Sequence, residues 1–497
     1  MADAAPDASA RAAAPAPPAA ARAHRVRIRM FRQGIGDAFL LSFNLPPKPC
    51  HILIDCGVLT GTPDAKGWAQ RIAQNVEQET GGHLNAIVGT HPHWDHLSGF
   101  HDAQDVFKRL QVDEVWLSWA ENPRDAGASE QKRARGLQLD AVRRAVAQLA
   151  AAPDDAVRAR AAAIEETLAF HGPATLGAAG SSGTEAALEA LRQLTPSPHY
   201  WEPGDLITPD WLPGVRVYVL APPRDETLLS KLLGKKGSEM YGLGSDGGLY
   251  AALLGQAAGA NPLDPEAQAA VESMRPFDAS WCWSLASARA EHALSSIVQR
   301  YEAAPNAWRA IDHDWLLSAE QLALSLDNVV NNLSLVLAFE FTQTKDVLLF
   351  AADAQIGNWL SWQKLSWTIK EDGGERTIRS KDLLQRTVFY KVGHHGSHNA
   401  TLMDDGLEAM IHPDLVAAIP VNQEFANKTK KWDMPAQPLY PHLIEKTRGR
   451  LLRADGAGPT ATDSNQPSID PALWAAFVSR VVADPGTPSL HVDYFLP

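Results

Sequence analysis

A buried strand that empties into a cluster of histidines sets the tightest limit on how this chain folds. Leu84-Asn85-Ala86-Ile87-Val88-Gly89-Thr90 is apolar and strand-sized, and it runs straight into His91-Pro92-His93-Trp94-Asp95-His96. Burial of the strand fixes where these polar side chains must sit, at its end and against the core. In an extended loop, residues two apart point to the same side. His91 and His93 can therefore face one metal together, while Asp95 and His96, offset from them, can face a second. Imidazole and carboxylate donors suit Zn²⁺, and also Mn²⁺ or Fe. Histidines gathered this closely repel one another once protonated, so their convergence needs a cause.

Two further strand ends carry the same chemistry. Residues 387–392 read as a strand and lead into Gly393-His394-His395-Gly396-Ser397-His398. One of these histidines can complete a metal shell, and the others can contact substrate. The strand at 346–352 ends in Asp353, whose two oxygens can bridge two cations. Asp55 closes the apolar run His51-Ile52-Leu53-Ile54. It can orient a ligand histidine through a hydrogen bond, or it can form an Asx turn before Gly57. Beside these groups, Lys391, Ser397, His398 and Asn422 are candidates for holding an anionic group or protonating a leaving group.

Strand patterning recurs in separate blocks. Arg25-Val26-Arg27-Ile28-Arg29-Met30 alternates, a glycine-rich turn follows at Gln33–Asp37, and residues 38–43 form the returning strand of a hairpin. Trp68, Ile72 and Val76 space a helix that Gly81-Gly82 stops. Alternation returns at 215–220, 333–341, 387–392 and 415–421. Between these blocks, 120–199 and 225–328 are mostly helical or loop-like. The expected organisation is an Ala/Pro-rich tail at 1–24 and one α/β domain over 25–497. Its core blocks are 25–119, 200–224 and 329–460, with helical insertions at 120–199 and 225–328 and a helix–strand extension at 461–497. Tryptophans such as Trp116, Trp119, Trp281, Trp283 and Trp359 are expected in packing roles. Gly242-Leu243-Gly244-Ser245-Asp246-Gly247 matches a dinucleotide fingerprint formally but has no strand before it, so it reads as a loop.

Charge and cysteine content exclude several classes. The net charge of −13 argues against a surface that coats duplex nucleic acid. It leaves room for a local phosphate site, and Lys428 to Lys431 could contribute to one. Three cysteines are too few for a disulfide framework or a four-cysteine zinc site, which suits a reducing cytoplasm. No apolar run approaches the ~18 residues of a membrane span.

The motif His91-Pro92-His93-Trp94-Asp95-His96 resembles the signature of the metallo-β-lactamase-fold hydrolases. The Gln33–Ala38 hairpin, Ile54-Asp55-Cys56-Gly57, Asn332 to Leu337, the strand ending in Asp353 and Lys391–Ser397 resemble the ComEC-like subgroup of that fold. The resemblance implies a four-layer αββα sandwich with two divalent metals, Zn²⁺ before Mn²⁺ or Fe, at one edge. It implies that His91 and His93 bind the first metal, that Asp95 and His96 bind the second, and that Asp353 bridges. His394 is then the remaining ligand, with His395 the alternative. Many members supply one more histidine where this chain has Ala221, so the first metal would have fewer protein ligands and more water, or His199, His292 or His313 would fill the gap.

The function expected is hydrolysis by a metal-activated water, with Asp95 and His398 in proton transfer. A phosphodiester, in a small or single-stranded nucleic acid, comes before a carboxylic ester, lactone or lactam. A non-catalytic, metal-bound scaffold that recruits a protein through its insertions is the third reading.

Overall fold

The computed structural model describes residues 24–152, 155–173, 183–229, 280, 283, 285–303, 305, 312–371, 373–459 and 469–497. The Gly242–Gly247 segment, Trp281 and most of the 1–24 tail lie outside them. The strands are β1 (Val26–Phe31), β2 (Phe39–Phe43), β3 (Cys50–Ile54), β4 (His83–Val88), β5 (Gln111–Ser118), β6 (His199–Trp201), β7 (Leu206–Ile207), β8 (Val215–Ala221) and β9 (Val336–Phe341). They continue as β10 (Val347–Phe350), β11 (Ser366–Glu371), β12 (Gly374–Arg379), β13 (Thr387–Lys391), β14 (Val416–Ile419), β15 (Leu451–Arg453), β16 (Val481–Ala483) and β17 (His491–Leu496). The helices that matter below are α1 (Ala65–Thr80), α2 (Trp94–Asp102), α3 (Ala126–Ala150), α4 (Asp155–Leu168), α5 (Gly183–Arg192), α6 (Asp312–Asn331) and α7 (Ile356–Trp362).

The fold is α/β with two mixed sheets. One runs β16-β17-β1-β2-β3-β4-β5-β6, the other β15-β14-β13-β10-β9-β8-β7, and β11-β12 form a separate hairpin. Strand alternation explains the packing. Ile28, Phe39, Leu41 and Ile52 from the first sheet share one apolar cluster with Val217, Leu337, Phe339 and Phe350 from the second. The opposite face of the first sheet, with Leu40, Leu53 and Ile87, packs on Ile72 and Val76 of α1, Leu97 of α2 and Leu188 of α5. The opposite face of the second, with Tyr218, Leu349 and Tyr390, packs on Trp359 and Trp362 of α7. Trp116, Trp119 and Trp359 are buried as expected, whereas Trp283 is 58% exposed.

Two features tie distant parts of the chain together. Residues 491–496 are not an appendage: β17 lies between β16 and β1, with Arg29 opposite Asp493. Arg29 Nε and Nη2 bind the two Asp493 oxygens at 2.7 and 2.8 Å, a bidentate pair that fixes the register of strands far apart in sequence. Nor are the insertions independent. Val142, Val146 and Leu149 of α3, Ile164 and Leu168 of α4, and Leu322 and Leu326 of α6 form one apolar cluster. Among the described residues, no helix is long and apolar enough to cross a membrane.

His51 in β3 is buried, and its Nδ1 lies 3.0 Å from Ser42 Oγ. Burial first, and then the nearby Arg27 charge, pulls its pKa down from 6.5 to about 4. The unfolded chain therefore binds a proton between those values that the folded chain does not. Stability is expected to fall as pH drops from 6.5 towards 4. In His51→Gln, urea titrations across that range should show a shallower dependence, by one proton; an unchanged slope would contradict it.

Candidate metal centre

Five chain segments bring the polar cluster together at the carboxyl ends of strands. After β3, Asp55 takes a left-handed backbone (φ 56°), and Cys56 N donates to His96 O at 2.9 Å. Gly57 then passes the start of α2 so closely that a Cβ would lie 2.0 Å from the Asp95 carbonyl oxygen. Gly36, at φ +134°, meets Gly57 in the same way, and Asp37 N donates to Asp95 O at 3.0 Å. These contacts lock the glycine-rich turn, the β3 exit and the first turn of α2 into one unit. From the second sheet, Ala352, His394 and His395 are also left-handed (φ 48°, 42° and 51°). Strained backbone that clusters at buried polar groups marks a place where geometry has been held for a purpose.

Asp95, His96, Asp353 and His395 converge. His96 Nε2 lies 3.2 Å from Asp353 Oδ2 and 3.8 Å from Asp95 Oδ2. His395 Nε2 lies 3.5 Å from Asp353 Oδ2 and 2.9 Å from Asp95 Oδ2. Donor atoms on one tetrahedral Zn²⁺, with bonds of about 2.1 Å, sit about 3.3 Å apart. The four separations bracket that spacing, and all four residues are at most 1% exposed. Asp95 Oδ1 and His96 Nε2 are buried without a hydrogen-bond partner. The donor set therefore fits a divalent cation of the zinc class, and Asp37 with His96, Asp353 and His395 also forms a buried group that could hold one.

Supporting contacts aim each donor. Asp55 Oδ2 is 2.7 Å from His96 Nδ1, and Thr90 N and Oγ1 both donate to the Asp55 carboxylate, at 2.8 and 2.7 Å. This decides between the two readings of Asp55: it orients a histidine and turns the other ring nitrogen inward. Pro420 O does the same for His395, 3.0 Å from Nδ1. His394 N donates to Asp353 Oδ1 at 3.1 Å. His91 Nε2 and His93 Nδ1 meet at 3.0 Å.

Electrostatics follow the same geometry. Burial opposes charge on His96 and His395, yet Asp353 and the other carboxylates raise both pKa values. Burial likewise opposes charge on Asp353, but His96, His395 and Lys391 hold its carboxyl well below the usual range. His91 and His93 are driven well down, by burial and by neighbouring histidines. The carboxylates of the cluster call for positive charge, while His91 and His93 stay neutral.

Several sequence candidates take other places. His395, not His394, joins Asp95 and Asp353. His394 turns its Nδ1 to Ser397 Oγ at 2.9 Å and Gln355 Nε2 at 3.3 Å, because the consecutive left-handed residues point the two rings apart. Lys391 is not a substrate contact. It is buried, pairs with Asp37, lies 3.3 Å from Asp353 Oδ1 and donates to Ala352 O at 2.7 Å. Ser397 is buried as well and donates to Asn399 Oδ1 at 2.7 Å. Asn422 Oδ1 accepts from Phe425 N at 2.9 Å and lines a different, shallow hollow with Arg453 and Asp455. His398 is exposed, with Asp433 as its charged neighbour. Lys428 pairs with exposed Glu424.

The gap at Ala221 is not filled as expected. His199 is exposed on edge strand β6 and stacks on Trp201, and His292 is exposed at the start of its helix. The His313 side chain lies outside the described residues. Instead His171, after α4, and Asp327, in α6, stand beside His93. Neither residue belongs to a motif. Asp37 is a further member that motif spacing does not single out, although its place directly after Gly36 in the tight turn is a usable signal.

Comparison with protein-family models and with curated proteins gives no match for this chain.

Proposed function

We propose that this chain is a metal-dependent hydrolase of phosphodiester bonds, a phosphodiesterase or nuclease. In this reading its two facing sheets and their helices are the αββα sandwich of the metallo-β-lactamase fold. The observation that carries the proposal is the convergence of the buried side chains Asp95, His96, Asp353 and His395 at metal-donor spacing. These four would hold one divalent cation, and His93 opens towards a second. Bound cations there supply an acidified water as nucleophile and charge stabilisation at the reacting centre.

The chain's own residues prepare that chemistry. Asp55 and Pro420 fix the inward-facing nitrogens of His96 and His395. Lys391 and the His394 amide hold one oxygen of Asp353, which leaves the other turned inward. Asp95 Oδ1, buried and without a partner, is the acceptor for the proton of the nucleophile. A cavity of about 90 Å³ opens beside Pro92 and His171, and Lys132, Arg135 and Arg143 line it. Glu121, Asp140 and Glu185 line the same cavity, and Lys132 pairs with Glu185, so its lining carries both signs of charge.

The test uses protein loaded with Zn²⁺ or Mn²⁺, an activated phosphodiester and short single-stranded oligonucleotides. Turnover that a chelator abolishes and added metal restores is the expected result. Hydrolysis of an ester, lactone or lactam in place of the diester would overturn the substrate class. No turnover on any of them would overturn the hydrolase.

A further inference from the structure

We propose that His93, His171 and Asp327 form a cation site that the two insertions close over the core. One donor atom from each of the three lies within 4.8 Å of the other two. His93 Nε2 is 3.6 Å from Asp327 Oδ1, and the rings of His93 and His171 meet edge-on with centroids 5.2 Å apart. His93 is 1% exposed, His171 5% and Asp327 7%. His93 Nε2, His171 Nε2 and Asp327 Oδ1 are all buried without a hydrogen-bond partner. Three polar atoms turned towards one another and left unpaired are unfavourable unless something joins them. Two imidazoles and one carboxylate, with a fourth position open, are the donor set of a Zn²⁺-class cation.

The surroundings hold these atoms in place. Asn331 Nδ2 donates to Asp327 Oδ2 at 3.1 Å, which leaves Oδ1 free. Phe170 packs on the His93 ring and stacks on Trp432, with centroid separations of 5.6 and 5.1 Å. His93 Nδ1 lies 3.0 Å from His91 Nε2, and a hydrogen bond there would leave His93 Nε2 free for the cation. The apolar cluster shared by α3, α4 and α6 ties the two outer donors to each other. Ala221, at the end of β8, brings no donor.

This assignment rests on the hydrolase reading only for its use, as the seat of the second cation; the binding itself can be tested alone. The experiment measures zinc content after equilibration with buffered free Zn²⁺, and the visible spectrum of the Co²⁺ form. Four full-length proteins are compared: wild type, His171→Gln with Asp327→Asn, Asp353→Ala, and all three changes together. The expected result is two equivalents, one, one and none, with native far-UV circular dichroism throughout. The near-isosteric pair keeps the fold, and single Asp327→Asn gives a second route if the pair does not. Unchanged zinc content and cobalt spectrum in His171→Gln with Asp327→Asn, or in Asp327→Asn alone, overturn the site. Both readouts are independent of turnover, so failure of the site and failure of the hydrolase reading remain distinct.

Discussion

Asp353→Ala is expected to lower kcat/KM on a phosphodiester by roughly a thousandfold, equivalent to about 4 kcal/mol of transition-state stabilisation. Asp353 Oδ2 faces both His96 and His395. The loss should fall on kcat and should not be recovered by millimolar metal, because the donor itself has gone. Steady-state kinetics with increasing Mn²⁺ are the check. A variant within tenfold of wild type would place the reaction elsewhere in the molecule.

Lys391→Met should cost the metal-free chain about 3–5 kcal/mol. The Lys391 ammonium is 1% exposed and lies between Asp37 and Asp353, so its removal leaves two buried carboxylates without their cation. Burial works against its charge, but Asp37 and Asp353 raise its pKa, so the lysine stays charged in the fold. Urea unfolding in chelator is the measurement. Added Zn²⁺ should restore part of the loss, since a bound cation answers the same carboxylates. A midpoint that does not move in chelator would mean that the lysine is not the counter-charge of this cluster.

The legible parts of the molecule are those written in short-range pattern. Alternation places β1, β2, β3 and β9 to within a few residues, and the spacing of Trp68, Ile72 and Val76 places α1. Ligand-bearing strand ends can be read because a buried strand that stops at a polar cluster leaves little choice of position. What escapes is pairing at long range. The neighbour of β1 is β17, 464 residues away at the Arg29–Asp493 pair, and no local signal names that partner. His171 and Asp327 are hidden for the same reason: each is a single polar residue in helical sequence, and only the packing of α3, α4 and α6 brings them to His93. The choice between His394 and His395 turns on a left-handed backbone that two adjacent identical residues cannot reveal. Lys391 looks like a substrate contact because sequence shows proximity to a motif and not burial. Residues of both insertions, such as Lys132, His171 and Leu326, line the cavity beside Pro92.

The donors of the central cluster are Asp95, His96, Asp353 and His395, so the distance between the first and the last is most of the chain. A ribosome has made Asp95 and His96 long before it makes His395. A nascent or prematurely ended product carries half a coordination sphere, which grips a metal weakly. On the proposed reading, tight metal retention would begin only when the second sheet has docked on the first. If the proposed cation binds there, ion uptake would be a late step of synthesis, and metal content would serve as an assay for chains that have finished folding.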